Sequence, residues 1–143
     1  MGHQDRGHYA KKHQNYSQNP KITDKIIASA REGMIDCPSA HRIAKVLGLP
    51  PSEIGVQADL LELRIARCQM GLFGYGPGKK NFNLDVKISD ALKNDILNSQ
   101  KEGRISCHRS WDIARTHKIS RIDMGSACEK LEIRIKPCQL GAF

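Results

Sequence analysis

The segment RIARCQMGLF at residues 64–73 returns as RIKPCQLGAF at residues 134–143, so the chain contains nearly the same ten residues twice. A shift of 70 residues superposes the two halves without a gap. The identical pairs include Glu32/Glu102, Gly33/Gly103, Cys37/Cys107, Ile43/Ile113, Gly55/Gly125, Glu62/Glu132 and Cys68/Cys138. This order predicts two copies of one unit, residues 21–73 and 88–143, joined by a Gly/Pro linker at 74–87 and preceded by a flexible basic arm at 1–20.

The composition indicates a globular protein: of 143 residues, 39% are hydrophobic and 27% are charged. No apolar run approaches the ~20 residues of a membrane-spanning helix and no signal peptide is recognisable, so we expect a cytoplasmic protein without a membrane partner. The 23 Lys and Arg exceed the 15 Asp and Glu, which gives a formal net charge of +8. This excess predicts a polyanionic partner, nucleic acid first.

Each copy has the same order of predicted elements. Apolar residues at helical spacing predict a first helix that starts at a cap, Thr23 or Ser89. Gly33 or Gly103 is suited to end that helix in the left-handed conformation. A short strand, MIDC or RISC, follows with alternating apolar residues. Two further helices, which meet at Gly48 in the first copy, and a closing strand complete the predicted unit.

The stretch IAKVLGLPPSEIG, residues 43–55, resembles the helix-turn-helix of DNA-binding proteins. Ala44 is small where the two helices would touch, Gly48 supplies the turn, and Ile54 seats the following helix. In the second copy, Lys118 takes the place of the turn glycine. With a strand before and after, each copy resembles a winged helix, and the resemblance implies DNA binding. The predicted fold class is therefore mainly α with short β-strands (α+β), arranged as two tandem winged-helix-like helix-turn-helix units.

In a helix-turn-helix protein the third helix enters the major groove, where Arg, Lys, Asn or Gln contact the bases. In the first copy the outer face predicted for that helix is acidic to apolar, and Gln57 is its one good base reader. Val56 and Leu60 on the same face instead indicate a protein contact. Basic residues lie mainly in the arm, the linker and the closing strands. The predicted nucleic-acid-binding residues are Arg6, Lys11, Lys12, Gln57, Arg64, Arg67, Lys79, Lys80, Arg121, Lys130, Arg134 and Lys136.

Five cysteines, an odd number, argue against a disulfide framework. Four of them recur in the repeat, on the opening and closing strands: Cys37, Cys68, Cys107 and Cys138. Three roles are open for these four: core packing, a thiolate site for zinc or an iron–sulfur cluster, and a redox thiol. Core packing is favoured because Cys37 lies two residues after Ile35 and therefore on the same strand face. We predict no cofactor, and we expect Cys128 in the core.

No nucleophile–base pattern and no cofactor loop is recognisable, so the sequence predicts a protein that is not an enzyme. The predicted function is nucleic-acid binding, specifically transcription regulation with DNA as the partner. The two copies are expected to pack as an internal pseudo-dimer. Two alternatives stay open: a protein-interaction adaptor on the same fold, and a metal or redox sensor that uses the repeated cysteines.

Overall fold

The computed structural model describes residues 9–76 and 79–142, which form helices and a few short strands, in agreement with the predicted α+β class. The chain divides into two compact units. Of the described residues, unit 1 contains those up to Cys68 together with Leu140 and its two neighbours 141–142, and unit 2 contains those between Gln69 and Gln139. Among the described residues, no helix has both the length and the hydrophobicity needed to cross a lipid bilayer.

The two units repeat one order of elements. Unit 1 contains a short 3-10 helix (Tyr9–His13), α1 (Pro20–Ser29), β1 (Met34–Asp36), α2 (Cys37–Leu47), α3 (Pro51–Leu60) and β2 (Arg64–Ala66). Unit 2 contains α4 (Asp90–Ser99), β3 (Arg104–Ile105), α5 (Cys107–His117), α6 (Arg121–Lys130) and β4 (Arg134–Ile135). The predicted sequence of three helices with a strand before the second and after the third is therefore present in both units.

The first helices of the two units start differently. In α4 the predicted cap is confirmed, because the Ser89 side chain accepts a hydrogen bond from the backbone of Leu92. In unit 1 the predicted cap at Thr23 is wrong, since α1 begins at Pro20 and Thr23 is buried inside the helix. Asn19 caps that helix instead, and proline suits the first turn because its missing N–H would have no helical partner.

The predicted glycine caps at Gly33 and Gly103 are also wrong. The helix α1 ends at Ala30 in an extended conformation, and Glu32 (φ 51°) and Gly33 (φ 75°) then form a two-residue turn. Arg31 and Met34 close this turn with two backbone hydrogen bonds of 2.8 and 2.9 Å. Left-handed conformations at both central positions are the signature of a type I′ hairpin turn. Gly33 therefore directs the chain into β1 rather than ending α1.

The predicted turn between the second and third helices is confirmed in unit 1. Gly48 ends α2 in the left-handed conformation (φ 67°, ψ 32°), which a residue without a Cβ adopts at little cost. In unit 2, Lys118 takes the same conformation (φ 55°) after α5. The left-handed turn between the second and third helices is thus kept in unit 2 although it lacks glycine.

The strands of each unit pair in parallel. In unit 1, Met34 lies beside Arg64 and Ile35 beside Ile65. In unit 2, Arg104 lies beside Arg134 and Ile105 beside Ile135. Within the described ranges no β-hairpin follows α3 or α6, so the wing expected there is a single short strand paired with the strand that precedes the second helix.

Each unit is completed by the closing segment of the other repeat. A methyl group added at Gly55 in α3 would overlap the backbone carbonyl of Leu140, and one at Gly125 in α6 would overlap that of Met70. Leu140 and Met70 are both buried. Only glycine allows a neighbouring backbone to approach a helix this closely. The glycine that recurs inside the third helix of each unit therefore leaves room for the backbone of a tail segment, which is the chain around Leu140 in unit 1 and around Met70 in unit 2.

Candidate nucleic-acid interface

The outer face of α3 is covered by the residues that precede α1. The Gln57 amide accepts a hydrogen bond from the Asn19 backbone (2.9 Å) and donates one to the Ser17 carbonyl (3.1 Å). Glu62, just after α3, accepts from the backbone N–H groups of Tyr9 and Ala10 at 2.8 and 3.0 Å. Gln57 is consequently buried, with an exposed fraction of 4%. The sequence predicted Gln57 on the outer face of α3, whereas its side chain is buried in the structure.

Asp59, an acidic residue of α3, contacts two basic residues of the arm. Asp59 contacts Lys12 Nζ at 3.2 Å and His13 Nε2 at 2.7 Å, and Tyr9 is buried. The expected flexible arm therefore does not apply to residues 9–19. Lys11 remains exposed, whereas Lys12 is partly neutralised by Asp59. Arg6, the third basic residue predicted in the arm, lies outside the described residues.

The corresponding segment of unit 2 covers α6. Asn83 donates its backbone N–H to Ser126 Oγ (2.8 Å) and its amide to Asp123 Oδ1 (3.0 Å). Lys130 Nζ donates to the Val86 carbonyl at 3.0 Å, and Val86 itself is buried. Within the predicted linker, Asn83 and Val86 thus contact α6, whereas Leu84 between them is exposed. Both units cover the helix that would enter the DNA groove in a helix-turn-helix protein.

The most basic surface of unit 2 lies on its strands, and we call it the basic face: Lys101, Arg104, Arg134 and Lys136. Lys101 is bridged to Arg104, Arg104 is in register with Arg134, and Lys136 follows Arg134 by two residues. Ile135, between the last two, is buried on the opposite face. All four basic residues are exposed, and within residues 9–76 and 79–142 no Asp or Glu forms an ion pair with them.

Arg104 and Arg134 are paired on neighbouring strands, with Lys101 bridged to Arg104 and Lys136 just after β4, so these like charges repel one another. Neighbouring strands lie about 4.8 Å apart, which is well inside the ~10 Å over which salt at 0.1 M screens charge. Like charges opposite one another in a sheet cost roughly 0.2–1 kcal/mol per pair. An arrangement that opposes folding in this way is relieved when an anion binds. The basic face is therefore the surface of unit 2 best suited to phosphate.

Unit 1 does not carry an equivalent surface. Its corresponding positions are Arg31, Met34, Arg64 and Ala66. Arg31 turns back to donate to the Ala30 carbonyl at 2.8 Å, Arg64 is half-buried, and Ala66 is buried. The two copies have therefore diverged at these four positions, where unit 2 has four cations and unit 1 has two.

Arg121, also a predicted site residue, is held against an aromatic ring. Its guanidinium carbon lies 3.7 Å from the centre of the Trp111 ring, and its Nη1 donates to Gln69 Oε1. The side chain starts from the first residue of α6 and remains exposed. A cation stacked on tryptophan in this way is stabilised by the ring's negative face.

The other predicted basic residues are dispersed. Lys80 Nζ lies 3.7 Å from Glu129 and Lys79 is exposed in the segment before α4. Arg67 is exposed after β2. Val56 and Leu60, proposed for a protein contact, are half-buried on α3 and so present less surface than the sequence suggested.

The repeated cysteines are mostly internal. Cys37, Cys68 and Cys107 are buried and Cys138 is half-buried. Gln139 Nε2 donates to Cys107 Sγ at 3.3 Å. In the part of the chain that the structure describes, no three His, Cys, Asp or Glu side chains form a group able to hold a metal ion.

Burial raises the pKa of the Cys128 thiol to about 12. The unfolded chain loses this proton near pH 9 and the folded chain retains it, so stability is complete below that pH and falls as pH rises towards 12. We expect the free energy of unfolding to decrease by about 1.4 kcal/mol per pH unit above pH 9 through this residue alone. Urea unfolding of the wild type and Cys128→Ala at pH 8 to 10 measures the difference in slope. Equal slopes in the two proteins would contradict the assignment.

Sequence reasoning missed two members of the basic face, Lys101 and Arg104. For Arg104 the sequence contained a signal, because alternation in RISC places Arg104 on the strand face opposite to that of the buried Ile105. What was lacking was the pairing of the opening and closing strands, which brings Arg104 beside Arg134.

Comparison with protein-family models, curated proteins and solved structures finds no match to this chain.

Proposed function

We propose that the protein binds nucleic acid through the phosphate backbone and regulates transcription, with DNA as its partner. The proposal retains the two winged-helix-like units and the predicted backbone contact of the closing strands, and it centres that contact on the basic face. The observation that carries it is the row of exposed cations Lys101, Arg104 and Arg134, which no carboxylate in the described ranges neutralises. Phosphate contacts of this kind supply most of the affinity in nucleic-acid binding that does not depend on sequence.

Contacts on α3 and α6 support this choice of surface. Gln57 is engaged by Ser17 and Asn19, and Asp123 by Asn83, so these two side chains are not free to contact a groove. Strands and their flanking residues also bind DNA in other architectures. The proposal therefore predicts binding with weak dependence on base sequence and strong dependence on salt.

The test is fluorescence anisotropy of a labelled random-sequence duplex titrated with the full-length protein at about 50 and 200 mM salt. A second protein that lacks residues 1–8 measures the contribution of Arg6. We expect both proteins to bind, with an affinity that falls steeply as salt rises. Failure of the wild type to bind at the lower salt concentration would reject the proposal.

A matched pair of single variants locates the surface. Arg134→Gln is expected to weaken binding and to make the slope of log affinity against log salt less negative by about 0.9. Lys93→Gln removes the same charge from an exposed position on α4, away from the strands, and is expected to leave the slope almost unchanged. Equal effects of the two variants would mean that net charge, not the basic face, determines binding.

A further inference from the structure

The side chain of Arg121 is held at two places, by an aromatic ring and by a hydrogen bond. One face of its guanidinium lies on Trp111, with 3.7 Å between the guanidinium carbon and the ring centre. One of its three nitrogens, Nη1, donates to Gln69 Oε1. A long flexible side chain held at both places has lost most of its rotamer freedom before any ligand arrives.

The remaining donors of Arg121 form one usable edge. A guanidinium presents five N–H groups in a planar fork, and the pair Nε and Nη2 points to one side of it. Arg121 is exposed, and within the described residues neither nitrogen has an acceptor and no carboxylate pairs with the charge. An exposed side chain is thus left with two parallel donors and a positive charge that have no partner among the described residues.

We propose that the Nε–Nη2 edge of Arg121 is a preformed binding point for two adjacent acceptor atoms of a nucleic acid. Two groups have this chemistry: the O6 and N7 atoms of guanine, and two oxygens of one phosphate. The inference rests on the proposed function and names a contact of it, separate from the basic face. Lys118, exposed three residues earlier, adds positive charge beside the same turn.

The equivalent positions in unit 1 are Pro51 and His41, so unit 1 has neither the guanidinium nor the indole. The proposal therefore predicts one such contact for each chain. It also predicts that lysine cannot replace Arg121, because an ammonium has no planar fork and makes no bidentate contact.

The test uses the full-length protein and two single-stranded oligonucleotides of equal length and charge. One contains guanine and the other contains 7-deazaguanine, which lacks the N7 acceptor. Anisotropy titrations are made with the wild type, with Arg121→Lys, and with Arg115→Lys as control. Arg115 is equally exposed, pairs with Asp112 at 3.1 Å, and retains its charge in the same way on substitution.

We expect Arg121→Lys to weaken binding of the guanine oligonucleotide about tenfold and Arg115→Lys to leave it unchanged. If the acceptors belong to guanine, the wild type prefers guanine over 7-deazaguanine and Arg121→Lys loses that preference. If they belong to phosphate, Arg121→Lys weakens both oligonucleotides equally.

Wild-type affinity in Arg121→Lys would overturn the inference and would assign Arg121 a purely structural contact with Trp111. Arg134→Gln separates this failure from that of the proposed function. A loss of binding in Arg134→Gln with none in Arg121→Lys leaves the proposed function standing and rejects only the Arg121 contact. A wild type that binds neither oligonucleotide nor duplex rejects both.

Discussion

Gly55→Ala is expected to destabilise unit 1 by about 3 kcal/mol, although alanine is the better helix former. Helix propensity alone favours the substitution by about 1 kcal/mol. The added methyl group, however, would overlap the backbone carbonyl of Leu140, which is not the end of a flexible side chain and cannot turn aside. Either the tail leaves α3 or the helix shifts, and both expose the buried Leu140. Urea unfolding gives the change in free energy.

Removal of the tail should reverse the sign of this effect. In a chain that ends at Gln139, Gly55→Ala no longer meets Leu140, so we expect it to be neutral or to stabilise by up to about 1 kcal/mol. Gly125→Ala should remain destabilising in the same truncated chain, because its methyl group meets Met70 instead. Gly33→Ala is the control for positive φ without crowding, with an expected cost of about 1 kcal/mol. Equal effects of Gly55→Ala in both chains would contradict the tail contact.

Local sequence signals predicted that the helices exist, but they predicted only some of the residues at which the helices begin and end. Ser89 and Gly48 were correct because a capping side chain and a left-handed glycine act within three or four residues. Thr23 and Gly33 were wrong for equally local reasons. Asn19 followed by proline is a stronger start than Thr23, and Glu32–Gly33 forms a hairpin turn after the helix has already ended at Ala30.

The exchange of tails could not be predicted from the sequence. Met70 and Leu140 are equivalent residues, and so are Gly55 and Gly125, so each tail fits either third helix equally well in sequence terms. Only the three-dimensional structure decides that Leu140 lies on Gly55 and Met70 on Gly125. The repeat that revealed the two units therefore concealed how each one is completed.

Burial of Gln57 was hidden for a different reason. Helical periodicity describes which residues share a face, but not what packs on that face. Here the polar groups of Gln57 are satisfied by backbone atoms of Ser17 and Asn19, roughly forty residues earlier. A segment rich in polar residues gives no apolar pattern from which such a contact could be inferred. Gln57, the one base reader predicted on the outer face of α3, is consequently engaged within the protein.

Replacement of Arg104, Arg134 and Lys136 by glutamine in one protein is expected to weaken duplex binding roughly a hundredfold at 0.1 M salt. The same triple variant should make the salt slope less negative by about 2.7, because each phosphate contact contributes about 0.9. Anisotropy titrations over a range of salt measure both quantities. A triple variant at Lys21, Lys25 and Lys93, all exposed, removes equal charge from helices and should retain most of the affinity.

The free energy of unfolding of these two triple variants distinguishes a surface that binds a ligand from one that stabilises the fold. Arg104 and Arg134 lie side by side with like charge, so their replacement should leave the free energy of unfolding unchanged or raise it by up to about 1 kcal/mol. Binding would then fall while stability does not, the combination expected where charges are kept for a ligand at the expense of the fold. A large loss of stability in the Arg104/Arg134/Lys136 variant would instead show that these side chains hold the strands together, and the basic face would lose its role as the phosphate site.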